Sequence, residues 1–225
     1  PMSITMITTS ILNSLNLEKH TLLYYLIGAS LLMACIFFLP KYIGVYSLGS
    51  PLGKIKLSDD FDAHIELSKR VFENAAILDS QRVRMFSFYM RSGQTRAEAR
   101  GEVNEKLGKM IELADEYGIT LCHENEARIY GEAVEDCADL MKHFDGKLRS
   151  VLDMGNFAFC HQDPYKGYEA VKDYIEYIHI KDASYAEKII LPAGEGDGHL
   201  GEILSETDKA RDGIVYLTLE PHLRI

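Results

Sequence analysis

Two hydrophobic periodicities alternate along the chain after about residue 42. Short runs rich in β-branched and aromatic residues are typical of buried strands. The longer segments between them repeat apolar positions at spacings of three and four, which places those side chains on one face of a helix. Six strands are predicted, at 42–49, 82–89, 119–125, 148–155, 175–182 and 214–221.

Two of the intervening helices are well marked. The first carries an apolar stripe from Val103 to Tyr117 and the second carries one from Ala133 to Phe144. Gly118 follows the first stripe, and glycine commonly terminates a helix. Strands that alternate with helices in this way predict βα units, a parallel sheet and therefore an α/β fold.

The first 41 residues follow a different pattern. Leu22–Leu39 is a run of 18 residues without a charge, and Lys19 and Lys41 flank it. This length is at the lower limit for a membrane-spanning helix, and the flanks do not match a cleavable signal peptide. We predict an atypical apolar segment over 1–41, which acts as an anchor, a plug or a non-native leader, and a separate domain over 42–225.

Composition limits the partners of the protein. The 225 residues are 47% hydrophobic, which is enough for one large domain. The net charge of -10 repels phosphate backbones, so we expect no nucleic-acid partner. Four widely spaced cysteines are expected to be reduced thiols, which favours a cytoplasmic protein. We expect a membrane location only if residues 22–39 form an anchor. Whether the protein forms a homo-oligomer is left open by the composition.

Ionisable residues interrupt the apolar runs near the ends of four successive strands. They are Glu124, Asp153, His179 and Glu220. Each one alone is more often a helix cap or a salt-bridge partner, but buried charges need partners, and four at one rim indicate a shared one. Three carboxylates and an imidazole suit Mn²⁺ or Mg²⁺, and the nitrogen also permits Co²⁺ or Zn²⁺.

Several short motifs carry a resemblance to a known family. They are HENE (123–126), LDMGN (152–156), HIKDA (179–183), GEGDG (194–198) and LEPHL (219–223), with GSPLGK (49–54) after the first strand. Together they resemble the xylose isomerase-like TIM barrel superfamily, in its sugar phosphate isomerase and epimerase branch. The resemblance covers about 43–225 and implies a TIM (β/α)8-type barrel. The six strands would correspond to strands 3 to 8, so the barrel is apparently incomplete.

A resemblance to ketose 3-epimerases implies a metal site and a reaction. Glu124, Asp153, His179 and Glu220 would hold a divalent metal. Glu124 and Glu220 would be catalytic and act on opposite faces of a small sugar or sugar phosphate. One would remove a proton beside the carbonyl and the other would return one, through a metal-stabilised enediolate.

Substrate contacts are not inherited from that resemblance. Related epimerases have a histidine and an arginine where this chain has Asn156 and Tyr185. A solvated charge is an equally good interpretation of most of the candidates near the rim. The candidate substrate-binding residues are Lys54, Asn156, Lys181, Asp182 and His222.

Two rim features receive simpler interpretations. His123 should point to the opposite side of its strand from Glu124, because side chains alternate along a strand. The GEGDG segment lacks the lysine of a phosphate-binding loop and contains two acids, which predicts a mobile rim loop.

Two alternatives to an isomerase or epimerase remain. The same metal and base would support a dehydratase of a keto-polyol. A truncated barrel that keeps its ligands but fails to orient substrate or exclude water would be catalytically inactive.

Overall fold

A computed structural model describes residues 26–30, 44–220 and 222. The chain divides into two units, Pro1–Val45 and Tyr46–Ile225. In the first unit, residues 26–30 are helical and exposed. The rest of the apolar run Leu22–Leu39 lies outside the described residues, so its proposed roles stay predictions. Within the described ranges, no helix combines the length and the hydropathy that a membrane crossing requires.

All six predicted strands are present in one parallel sheet. The eight strands of the described chain are β1 (Leu48–Gly49), β2 (Arg82–Met85), β3 (Thr120–Glu124), β4 (Leu148–Asp153), β5 (Ile175–Ile180), β6 (Asp182–Ala183), β7 (Ile190–Leu191) and β8 (Leu217–Leu219). The sheet order is β1-β2-β3-β4-β5-β8, with every neighbouring pair parallel. Strands β6 and β7 form a separate antiparallel pair. This confirms the α/β fold, with six strands of an incomplete TIM-type barrel among the described residues.

Helices connect most of these strands. They are α1 (Phe61–Ile77), α2 (Arg96–Glu116), α3 (Val134–Phe144), α4 (Met154–Phe159), α5 (Pro164–Val171) and α6 (Leu200–Ala210), with 3-10 turns at Tyr130–Glu132 and Lys172–Tyr174. Helices α2 and α3 are the two that the apolar stripes predict. A capping box of Thr95 and Glu98 starts α2, where it satisfies backbone N–H groups that have no partner within the helix.

The strands are shorter than the sequence predicts. The predicted strand 82–89 ends at Met85, and Phe88 has a left-handed backbone with φ of 68°. Beyond Met85 the chain pairs with the GSPLGK loop instead of the sheet, and Phe86 N donates to Leu52 O at 2.8 Å. This pairing holds the loop beside the C-terminal end of β2.

The two faces of the sheet have different contents. Apolar residues such as Leu121 and Leu152 pack against the helices in the main core. A small inner cluster contains Cys122, Val151 and Tyr177 on β3, β4 and β5. Because side chains alternate along a strand, the residues two positions later face the same inner side at the strand ends. The three cysteines of the described part are free thiols, as expected.

Candidate metal centre

The four predicted ligands meet at the C-terminal rim of the sheet. Glu124, Asp153 and His179 each lie two residues beyond a member of the inner cluster, and Glu220 directly follows β8. One donor atom from each of the four lies within 4.8 Å of all the others. His179 Nδ1 is 3.3 Å from Glu124 Oε1, 3.8 Å from Asp153 Oδ2 and 3.5 Å from Glu220 Oε2. The strand-end pattern therefore corresponds to one three-dimensional cluster.

Two buried atoms of this cluster have no hydrogen-bond partner. Asp153 Oδ2 and His179 Nδ1 are both fully enclosed and unsatisfied within the described part of the protein. Buried polar atoms are normally paired, and an unpaired one needs an explanation. A divalent cation would accept both atoms as ligands, and three carboxylate oxygens with one imidazole nitrogen form a hard donor set. The residues present therefore fit a divalent metal ion.

The charges of the four groups depend strongly on one another. Burial lowers the pKa of His179, but Asp153, Glu124 and Glu220 raise it more, to about 11. His179, whose Nδ1 lies 3.5 Å from Glu220 Oε2, in turn lowers the pKa of Glu220 to about 2. Burial raises the pKa of Glu124, but His179 and Arg84 lower it more, so it ends below its ordinary value. The carboxylates thus create a site that attracts positive charge, either a proton on His179 or a cation.

Arg84 contacts this cluster although sequence reasoning did not single it out. Its Nη1 donates to Glu124 Oε2 at 2.9 Å and lies 3.6 Å from Glu220 Oε1. Alternation along β2 could have indicated it, because Arg82 and Arg84 alternate with the buried Val83 and Met85. Glu124 therefore presents one oxygen to Arg84 and the other to His179.

Asp153 and Asn156 tie helix α4 to the metal ligands. Asp153 is the N-cap of α4, and its Oδ1 accepts the backbone N–H of Asn156 at 2.7 Å. The other oxygen is left facing His179 and Lys181. Asn156 Nδ2 donates to Glu124 Oε1 at 3.3 Å and to Asn125 O at 2.9 Å. The cap thus orients one ligand, and the amide side chain supports another.

Lys181 is buried beside the cluster. Its Nζ donates to Asn156 Oδ1 at 2.8 Å and lies 3.4 Å from Asp153 Oδ2. Burial lowers the pKa of Lys181, but Asp153 and the neighbouring glutamates raise it more, so the ammonium group is retained. A fixed positive charge therefore borders the ligands on this side.

A cavity of about 680 Å³ lies next to residues that contact the cluster, whereas His179 and Glu220 themselves line a smaller cavity of about 260 Å³. Three residues that line the larger cavity each contact a metal ligand: Asn156 contacts Glu124, Lys181 contacts Asp153, and His222 Nε2 lies 3.3 Å from Glu220 Oε2. Lys54 reaches this wall indirectly, through an ion pair of 3.0 Å with the lining residue Glu126. Four of the five candidate substrate-binding residues therefore lie at or beside one cavity.

Asp182 and His123 make hydrogen bonds to groups outside the metal cluster. Both oxygens of the buried Asp182 carboxylate accept backbone N–H groups from the GEGDG segment. The mobile rim loop that the sequence predicted is thus held by several fixed contacts. His123 stands outside the metal cluster, as predicted, and its Nε2 is 2.9 Å from the buried Ser87 Oγ.

A family model for xylose isomerase-like TIM barrels matches residues 42–223. The chain belongs to this family. No curated protein sequence is significantly similar to it.

Solved structures with the same fold include several enzymes. A D-tagatose 3-epimerase-like protein has a TM-score of 0.68 at 20% identity, covering 84% of this chain and 75% of its own. A probable 3-DHS dehydratase from Bacillus anthracis has a TM-score of 0.65 at 19% identity, covering 78% and 69%. The IOLI protein, which binds a zinc atom, has a TM-score of 0.65 at 16% identity, covering 81% and 71%. At these identities the likeness establishes the fold.

Proposed function

We propose that this protein is a divalent-metal-dependent isomerase or epimerase of a small sugar or sugar phosphate. The observation that carries this proposal is the convergence of the buried Glu124, Asp153 and His179 with the half-buried Glu220, beside a cavity. Its volume lies in the range of small-molecule sites. When bound, the metal would act as a Lewis acid on the substrate carbonyl. The donor set favours Mn²⁺ or Mg²⁺, while Co²⁺ and the zinc named for one structural neighbour are compatible with it.

Glu124 and Glu220 are the proposed acid–base pair. In the sheet, β4 and β5 lie between β3, which carries Glu124, and β8, which Glu220 follows. The two carboxylates therefore approach the cluster from different sides. Their lowered pKa values keep both deprotonated at neutral pH, the form that a general base needs. One would take the proton from the carbon beside the carbonyl. The other would first take up a proton from solvent and then deliver it to the opposite face of that carbon.

The cavity walls supply the proposed substrate contacts. Asn156, Lys181 and His222 present amide, ammonium and imidazole groups next to the ligands, which suits recognition of hydroxyl and carbonyl oxygens. Lys54 would support this wall through Glu126. These contacts would fix the reacting carbon against the two glutamates.

Dehydration of a keto-polyol is the second candidate function. Lys181 favours it, because a buried ammonium group on the cavity wall could protonate a departing hydroxyl. The first proton abstraction would be the same in both reactions. A dehydratase is also among the proteins that share this fold.

One assay separates these functions. The Mn²⁺-loaded protein would be incubated with ketoses, ketose phosphates and a keto-inositol in D₂O, and the products followed by NMR. Deuterium entering the carbon beside the carbonyl supports an epimerase if the configuration changes and an isomerase if the carbonyl moves to the neighbouring carbon, whereas loss of water supports the dehydratase. An absence of both, in a protein that binds Mn²⁺, would indicate an inactive barrel.

Variants of the two glutamates test the assignment of roles. E124Q and E220Q should each lower turnover by about 10²-fold or more, since each removes an acid–base group. E116Q, at the exposed end of α2, is the matched control and should keep wild-type turnover. Unchanged turnover in E124Q and E220Q would exclude this mechanism.

A further inference from the structure

The Asp182 carboxylate organises a loop that lies far from it in the sequence. Its Oδ2 accepts the backbone N–H of Gly194 at 2.9 Å and of Gly196 at 3.0 Å. Its Oδ1 accepts the N–H of Gly198 at 2.9 Å and of Ala183 at 2.9 Å. Four backbone donors on one buried carboxylate leave little capacity for a further ligand.

Two glycines close to this carboxylate lie where there is no room for a side chain. A Cβ atom on Gly196 would overlap Asp182 Oδ1 and lie 2.7 Å from Ala183 O. A Cβ atom on Gly198 would lie 2.7 Å from the same Oδ1. The glycine spacing of the GEGDG motif therefore lets the backbone wrap closely around Asp182.

The loop follows the β6–β7 hairpin, and part of that hairpin lines the cavity. Asp182 pairs with Leu191 and Ala183 pairs with Ile190 in the β6–β7 ladder. Asp197 N donates to Ala183 O at 2.9 Å, which fastens the loop to the same hairpin. Residues 188–190 at the end of this hairpin line the cavity, together with Lys181. The position of one cavity wall thus depends on the contacts of Asp182.

We infer that Asp182 is a positioning residue, which fixes the segment 182–198 as the wall that the substrate binds against. The part of this inference that concerns the substrate rests on the proposed function. Asp182 acts through the backbone of the loop instead of touching the substrate. Its loss should weaken substrate binding more than the chemical step, because Glu124 and Glu220 are carried by other strands.

D182N and G196A test this inference in the 225-residue chain. D182N replaces one carboxylate oxygen with an NH₂ group, which cannot accept the hydrogen bonds of the backbone N–H donors. G196A displaces the loop and leaves the carboxylate intact. In both variants, we expect faster hydrogen–deuterium exchange in a peptide spanning 192–199, with Mn²⁺ affinity within about threefold of the wild type. KM for the turned-over sugar should rise about tenfold to a hundredfold while kcat changes less, since a displaced wall mainly misplaces the substrate.

D163N is the matched control. Asp163 also accepts two backbone N–H groups, at the N-terminus of α5, and does not line this cavity. D163N should leave both KM and the exchange of 192–199 unchanged.

The outcomes distinguish the inference from the proposed function. Unchanged exchange in D182N, or a loss of kcat at constant KM, would overturn the positioning role. A wild-type protein that turns over no sugar would exclude the proposed function and the substrate part of this inference. In that case the exchange measurement would still decide whether Asp182 holds the hairpin.

Discussion

Arg84 and Glu124 form a hydrogen-bonded ion pair of 2.9 Å at the rim of the sheet, between Nη1 and Oε2. The second oxygen of Glu124 lies 3.3 Å from His179 Nδ1. Arg84 therefore fixes the rotation of the carboxylate and directs one oxygen towards the other ligands. Contacts of this kind orient metal ligands and influence their affinity.

Removing the guanidinium should loosen Glu124. We expect R84M to lower Mn²⁺ affinity or kcat/KM by about 10- to 100-fold, the range typical of residues that orient metal ligands. Isothermal titration calorimetry and turnover measurements would check this expectation. R70M, at an exposed position on α1, should behave as the wild type. Equal affinities and rates in R84M would show that Glu124 holds its orientation without Arg84.

Metal binding should raise thermal stability through Asp153. At a hundredfold excess of free metal over Kd, binding to the native state adds about 2.7 kcal/mol, which corresponds to about 5–10 °C in Tm for a domain of this size. D153N should lose most of this shift because it lacks a charged ligand oxygen. Differential scanning fluorimetry with and without Mn²⁺ would measure the effect, and the exposed-site variant D173N should keep it. A full shift in D153N would remove Asp153 from the ligand set.

Acid should destabilise the protein through His64. His64 Nε2 accepts the backbone N–H of Gly53 at 2.9 Å, so the folded state needs the neutral ring. Burial lowers the pKa of His64 below 6.5, and Lys106 lowers it further. Unfolding therefore takes up a proton as the pH falls through about 6.5, and the free energy of unfolding decreases there. H64Q, which keeps an acceptor but does not titrate, should flatten this part of a urea-denaturation pH profile. A wild-type slope in H64Q would assign the effect to another group.

Gly53 should be among the least tolerant positions of the GSPLGK loop. Its φ is +80°, and a Cβ atom there would overlap the carbonyl oxygen of Phe86. G53A should lower the free energy of unfolding by more than about 3 kcal/mol, because backbone strain and overlap add together. Gly93 has a similar φ of +77°, but a Cβ atom there would meet nothing within 4 Å, so G93A should cost only about 1–2 kcal/mol. Equal losses in urea denaturation would show that strain alone limits Gly53.

Local sequence patterns determined the order of the strands and the position of the ligands. Apolar periodicity located six strands and two helices, and parallel strands present their C-terminal ends at one rim. The strand-end positions predicted Glu124, Asp153 and His179 as ligands, and the structure places each of them two residues beyond Cys122, Val151 or Tyr177. These features follow from residue spacing within single elements, which is why a sequence reveals them.

Only the tertiary structure decided which groups meet across elements. The contact of Arg84 with Glu124 depends on how β2 and β3 pair, and the contact of His64 with Gly53 depends on how α1 packs beside a loop. Three of the four backbone partners of Asp182 lie 12 to 16 residues later in a glycine-rich loop. The contacts of His64 and Asp182 are made with backbone amides, whose directions depend on φ and ψ through turns. A pattern of apolar and polar side chains carries no information about those directions.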